Sequence, residues 1–415
     1  MKRVTFELKQ NSTKHIKSWL VTDFTNKISE LHYKQELLWE INKRISEGAK
    51  PENLLVFDKS FNIHKTYKFL GKHKLNTENG IKNIYHLGIP VPLYVNFKID
   101  TIAHIFKSFS DMFTNFNKDE VKENSKLDKN KLHEFIKEAM QTKESELSIS
   151  EYKNYLINRT ENIADKDLKK KYNGIVTKEI KQLLKSYEES FNNNIKLLDL
   201  DKEEAGFKLA KEEVAKKNDL IRKVSGRFEY HFNTNKKPIV GYLDEEKNTI
   251  EILCVNFIKH NGKDEKQFDL KEISHNSPFF IEFAATYVLV QLFYQMYCNK
   301  IDRKYNFVEE EEIEDEENNS TNQSRIDESE EELELFRTIK GRLGDILKET
   351  TEQEESTEQE ESTEQTEESN TPKGVAAILK NLNNLNVEKM AKNFSINGFE
   401  NGDLNIKFEN NGEQD

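Results

Sequence analysis

Between Asp58 and Glu78 the chain carries no acidic residue. That interval holds Lys59, Lys65, Lys68, Lys72 and Lys74, interleaved with Phe61, Tyr67 and Phe69 and with His64 and His73. Ammonium groups neutralise phosphates and aromatic rings stack on unpaired bases, so these residue types suit contact with single-stranded nucleic acid. Lys59, Lys65, Tyr67, Lys68, Lys72 and Lys74 are therefore the candidate nucleic-acid-binding residues. A competing reading makes Tyr67 and Phe69 the core-facing residues of a strand, with Lys68 on its solvated side. The lack of a known nucleic-acid-binding motif favours that second reading.

Catalytic spacings are scarce. Glu7-Leu8-Lys9 ends a first strand, and Asp58 follows a later apolar one. Metal-dependent nucleases use such groups at strand ends, where carboxylates hold the ion and a lysine assists the attacking water. The order here is reversed, and Glu-x-Lys recurs by chance in a chain with 63 basic and 75 acidic residues. His133-Glu134 lacks the second histidine of a zinc helix. Glycine-rich phosphate loops, HExxH, GxSxG and paired cysteine ligands are all absent from the sequence. No catalytic residue, metal ligand or cofactor is expected, and a binding protein is favoured over an enzyme.

The elements that position these residues read as α+β. Val4, Phe6 and Leu8 share one face of a first strand, and Asn26 to Ser46 is an amphipathic helix stopped by Gly48 and Pro51. Leu54 to Phe57 reads as a strand. Val91, Leu93, Val95, Phe97 and Ile99 alternate as another, with Pro90 and Pro92 placing its start at an edge. The middle is helical. Stripes from Ile180 to Leu198 and from Phe207 to Val224, broken at Asp199-Leu200-Asp201, predict a helical hairpin rather than a coiled coil.

After Ser225-Gly226 strands are expected again. Phe228, Tyr230 and Phe232 alternate, Ile239 to Leu243 and Thr249 to Lys259 follow, and Asn261-Gly262 marks a hairpin turn. A buried strand from Phe279 to Phe283 leads into a core helix from about Ala284. That apolar stretch, Pro278 to Cys298, is interrupted by Glu282 and carries a polar stripe at Gln291, Gln295 and Asn299, which argues against a membrane span.

Charge divides the chain. Residues 301–370 hold 26 acidic and 7 basic side chains, whereas residues 1–300 hold 51 basic against 43 acidic. The acidic stretch includes a TEQEES repeat between Thr351 and Ser369, a composition too poor in apolar residues to build a core. The expected organisation is an α+β part at 1–100, a helical region at 101–225, an antiparallel sheet plus helix at 226–304, a disordered acidic linker at 305–372 and a docking element at 373–415. In that last part Val375 to Met390 forms a helix and Phe394 to Phe408 a hairpin around Asn401-Gly402. Within the linker, Glu332 to Lys348 has helical spacing.

Two cysteines without CxxC spacing, and a start without an apolar h-region, lead to the expectation of a reducing cytoplasm. The abundance of Lys, Asn, Ile, Glu and Phe fits an AT-rich bacterial genome or one of its mobile elements. The resulting expectation is a cytoplasmic binding or regulatory protein whose basic body engages a protein or a single-stranded nucleic acid. Alternatives are a metal-dependent nuclease or toxin-like effector, and a membrane-associated protein.

Overall fold

The computed structural model describes residues 3–9, 17–62, 64–117, 125–141, 145–206, 210–258, 268–274, 280–314, 333–348, 373–396 and 403–408. In chain order these form β1 (Arg3–Lys9), α1 (Ser18–Ser46), β2 (Leu54–Ser60), β3 (Lys72–Lys74), α2 (Glu78–Leu87), β4 (Pro90–Pro92) and α3 (Phe97–Phe116). There follow α4 (Lys129–Gln141), α5 (Ser145–Glu161), α6 (Lys166–Gly206), α7 (Lys211–Thr234), β5 (Pro238–Asp244), β6 (Thr249–Ile252) and α8 (Val255–Ile258). The last elements are β7 (Asp269–Ser274), β8 (Phe280–Thr286), α9 (Tyr287–Glu314), α10 (333–348), α11 (Lys373–Ile396) and β9 (Asp403–Phe408). The architecture is α+β with two antiparallel sheets and a helical middle. Two compact units divide it, one of Met1–Trp39, Asn256–Ser369 and Lys380–Asp415, the other of Glu40–Val255 and Asn370–Leu379.

In the first unit the sheet order is β7-β8-β1-β9. The alternation read in β1 is what the packing uses: Val4, Phe6 and Leu8 are buried, and Phe6 lies opposite Phe283 on β8 and Ile406 on β9. The Phe6 and Phe283 rings stack at 5.2 Å, and Phe293 of α9 approaches Phe6 to 5.4 Å. Leu289 and Phe293, Phe336 and Leu343 of α10, and Met390 and Phe394 of α11 complete this core.

Helix α1 is buried from Glu30 to Leu38, so its polar side chains need partners inside the protein. Thr286 donates its hydroxyl to Glu36 and lies 2.8 Å from His32 Nε2. Gln35 donates to Asn383 at 2.7 Å, and Asn383 in turn donates to Gln295 at 2.9 Å, tying α1, α11 and α9 together. The polar residue Gln295 that argued against a membrane span is thus a part-buried partner of α11. No helix among the described residues is long and apolar enough to cross a membrane.

Packing therefore continues past Lys304. Helix α9 extends to Glu314, while α10 and α11 place apolar faces in the first unit's core. Strand β9 pairs with β1, where the sequence suggested a hairpin within the tail itself. Charge composition is an average over a segment and is blind to a few well-spaced apolar residues such as Phe336, Ile339 and Leu343. The TEQEES repeats, Asn261-Gly262 and Asn401-Gly402 lie outside the described residues.

The second unit has sheet order β3-β6-β5-β2-β4, with α2 to α7 packed around it. Four expectations change here. The Val91 to Ile99 strand stops after Pro92, because Asn96 caps α3 by accepting the Ile99 amide at 3.0 Å and anchors itself to the Glu52 carbonyl at 3.0 Å. Phe228, Tyr230 and Phe232 belong to α7, which runs through Ser225-Gly226: Phe228 and Phe232 are buried four residues apart while Tyr230 is exposed. Period two and period four coincide at that pair. Strand β6 ends at Ile252 and is followed by α8 instead of continuing to Lys259. The hairpin of α6 and α7 is present, but α6 passes unbroken through Asp199-Leu200-Asp201, and Asp201 accepts from both Tyr94 and Lys217.

Between α3 and α6, the buried His104 lies 3.3 Å from Ser186 Oγ. Burial, helped by Arg227 and Lys107, holds its pKa down to about 4. The unfolded chain takes up a proton near the ordinary histidine pKa while the folded protein resists it. Stability from neutral His104 is therefore present above about pH 6.5 and is lost as pH falls towards 4, by up to about 3 kcal/mol. Neighbouring Asp100 has a pKa raised by burial and works in the opposite direction. Urea titrations across this range are expected to show a flatter acid limb for His104→Gln than for the parent; identical limbs would remove His104 from the acid response.

Candidate nucleic-acid interface

Residues 59–77 do not form one continuous strand. Lys59 lies near the end of β2, Lys65 is exposed in the turn before Thr66, and Tyr67, Lys68 and Phe69 make one turn of 3-10 helix. Lys72 and Lys74 lie exposed on the short edge strand β3, with His73 between them turned inward. His73 Nε2 lies 2.5 Å from the Phe69 carbonyl and so ties the aromatic turn to β3. Tyr67 packs on Phe61 at 6.1 Å.

The structure sorts these residues into two groups. Lys72 lies opposite Glu251 in the β3–β6 register and adds a minor share to the lowering of the Asp244 carboxyl, which the Lys247 hydrogen bonds dominate, so acids lie near its charge. Lys59 and Lys68 instead converge with Lys129, at the start of α4, on His86 in the last turn of α2. Burial and these three ammonium groups keep the His86 pKa below the ordinary histidine value. Among the described residues, Lys59, Lys68 and Lys129 form no ion pair.

Aromatic rings lie beneath the charges. His86 stacks on Phe69 with centroids 4.3 Å apart and planes 6° from parallel. Lys68 Nζ sits 4.9 Å from the Phe69 centroid. Lys59 and Lys129 hold their Nζ atoms 5.7 and 5.4 Å from the Tyr85 centroid, and Lys129 is 4.9 Å from that of Phe113. Tyr85 is itself backed by Phe106 at 5.3 Å. The result is a surface of flat rings with three cations above or beside them.

Local backbone chemistry sets this geometry. Thr77 caps the start of α2 by accepting the Gly80 amide, and Gly88 ends it at φ +119°. A Cβ at Gly88 would lie 2.1 Å from Asp58 Oδ1 and 3.1 Å from Lys59 Cγ. Glycine thus lets the end of α2 approach β2 closely enough to bring His86 beside Lys59. Asp58 accepts the Ile89 amide at 2.7 Å, which fixes the same corner.

Lys129, Tyr85, His86 and Phe113 escaped sequence reasoning because they lie on helices separated from 59–77 along the chain. The only local hint was the adjacent Tyr85-His86 pair just before the terminating Gly88. Of the residues weighed for a metal-dependent nuclease, Glu7 accepts from Asn405 and Lys407 on β9, the Lys407 hydrogen bond lowering its pKa, and Asp58 accepts the Ile89 amide. Among the described residues no group of three His, Cys, Asp or Glu side chains could hold a metal ion. No protein-family model, curated protein or solved structure matches the chain.

Proposed function

We propose that the protein binds single-stranded nucleic acid through the Lys59–Lys68–Lys129 surface, as a cytoplasmic binding or regulatory factor rather than an enzyme. The supporting observation is the convergence of three lysines without ion-pair partners among the described residues on the Phe69–His86 stack and Tyr85. Ammonium groups supply phosphate contacts, and half-exposed rings supply stacking that tolerates any base. Lys65, Tyr67, Lys72 and Lys74 flank this centre and play a lesser part in the reading.

Fluorescence anisotropy with a labelled oligothymidylate tests it on the full chain. Replacing Lys59, Lys68 and Lys129 together with alanine is expected to reduce the slope of log affinity against log salt by about two, since each single-strand phosphate contact contributes about 0.7. Phe69→Ala is expected to remove about 1–3 kcal/mol of stacking. The Lys65, Lys72 and Lys74 triple substitution should cost less than the first. Absence of binding by the parent at low salt would overturn the proposal and leave a protein partner as the better reading.

A further inference from the structure

His86 is exposed at the C-terminal end of α2, with its ring held parallel to Phe69 and surrounded by cations from three other segments. Lys59 approaches from β2, Lys68 from the Tyr67–Phe69 turn and Lys129 from α4. On its own helix the neighbours are Tyr85, whose ring lies edge-on at 6.0 Å, and Lys82, which is paired with Glu78. An imidazole in this position feels two opposed influences. The carbonyl end of α2 and the face of Phe69 both favour imidazolium, whereas partial burial and the lysines oppose it.

We infer that nucleic-acid binding at this surface takes up a proton on His86, which makes affinity rise as pH falls. The inference rests on the function proposed above and adds its regulation. A phosphate placed among the lysines offsets the charge that keeps His86 neutral, and a protonated His86 can then donate a hydrogen bond to that phosphate. The depressed pKa of free His86 is consistent with this, because it leaves the imidazole neutral at neutral pH and able to gain a proton on binding. Each unit by which binding raises that pKa appears as about a tenfold gain in affinity at low pH.

The test is affinity of the full chain for oligothymidylate between about pH 6 and 8, the window in which histidine charge changes. Thymine bases do not titrate in that window, so any pH dependence belongs to the protein. Parent affinity is expected to rise towards pH 6 by up to about tenfold per pH unit, and His86→Gln to give a flat profile. Labelled-histidine NMR should show the His86 titration moving to higher pH when the oligonucleotide is added. His64→Gln controls for the other exposed histidine of this region and is expected to keep the parent's slope. Parallel profiles for parent and His86→Gln, with both binding, would overturn the proton coupling alone. No binding at any pH would overturn the functional reading and this inference with it.

Discussion

A chain ended at Lys304 is expected to lose the first unit's fold rather than to yield a trimmed, stable body. The truncation removes Phe336, Ile339, Leu343, Val387, Met390, Phe394 and Leu404 from the core of that unit. It also strips β9 from β1, leaving the Val4 to Lys9 edge unpaired. Emptying a single buried Leu or Met site costs about 2–5 kcal/mol, and a whole domain is stable by about 5–15 kcal/mol. Loss of seven such side chains therefore exceeds what the unit can bear. Circular dichroism and solubility of the truncated chain check this; a soluble, cooperatively melting product with the parent's near-ultraviolet signal would show that the C-terminal elements are dispensable. The charge of residues 301–370 also predicts that this stretch competes electrostatically with nucleic acid for the basic residues, and the test of that expectation is substitution rather than truncation. Changing the glutamates of 351–369 to glutamine removes negative charge without shortening the chain and is expected to raise oligonucleotide affinity at low salt.

The second large effect is expected from Leu289→Asp or Phe293→Asp. Both side chains are fully buried on α9, and Phe293 touches Phe6 and Phe394 at 5.4 Å each. An unpaired carboxylate there costs at least several kcal/mol, so the variants should be unfolded or insoluble. Phe293→Leu, which keeps an apolar side chain, is expected to lose far less. Should Leu289→Asp fold normally and instead change only membrane association on fractionation, the core placement of α9 would be wrong.

Strong local repetition was legible in the sequence. The Val4-Phe6-Leu8 alternation, the α1 stripe and the polar residues of α9 each report which face is buried, because neighbours two or four residues apart share one surface. Local pattern failed where it matched two periods at once, as at Phe228 and Phe232, or where one side chain ended an element, as Asn96 does. The helical spacing of α10 was legible too, but its place in the core was not: a few apolar residues on one helix face enter a core that other segments provide.

The candidate site divides along the same line. The sequence alone determined that residues 59–77 are basic, aromatic and free of acids. Only the tertiary structure decided which of those lysines lie near one another. Lys59 and Lys68 meet His86 and Lys129 because Gly88 lets α2 close onto β2, whereas Lys72 faces Glu251 across its strand pair. Charge and ring type are properties of single residues and can be read along the chain. Convergence within a few ångströms depends on contacts between distant segments, and those are set by the packing of the whole unit.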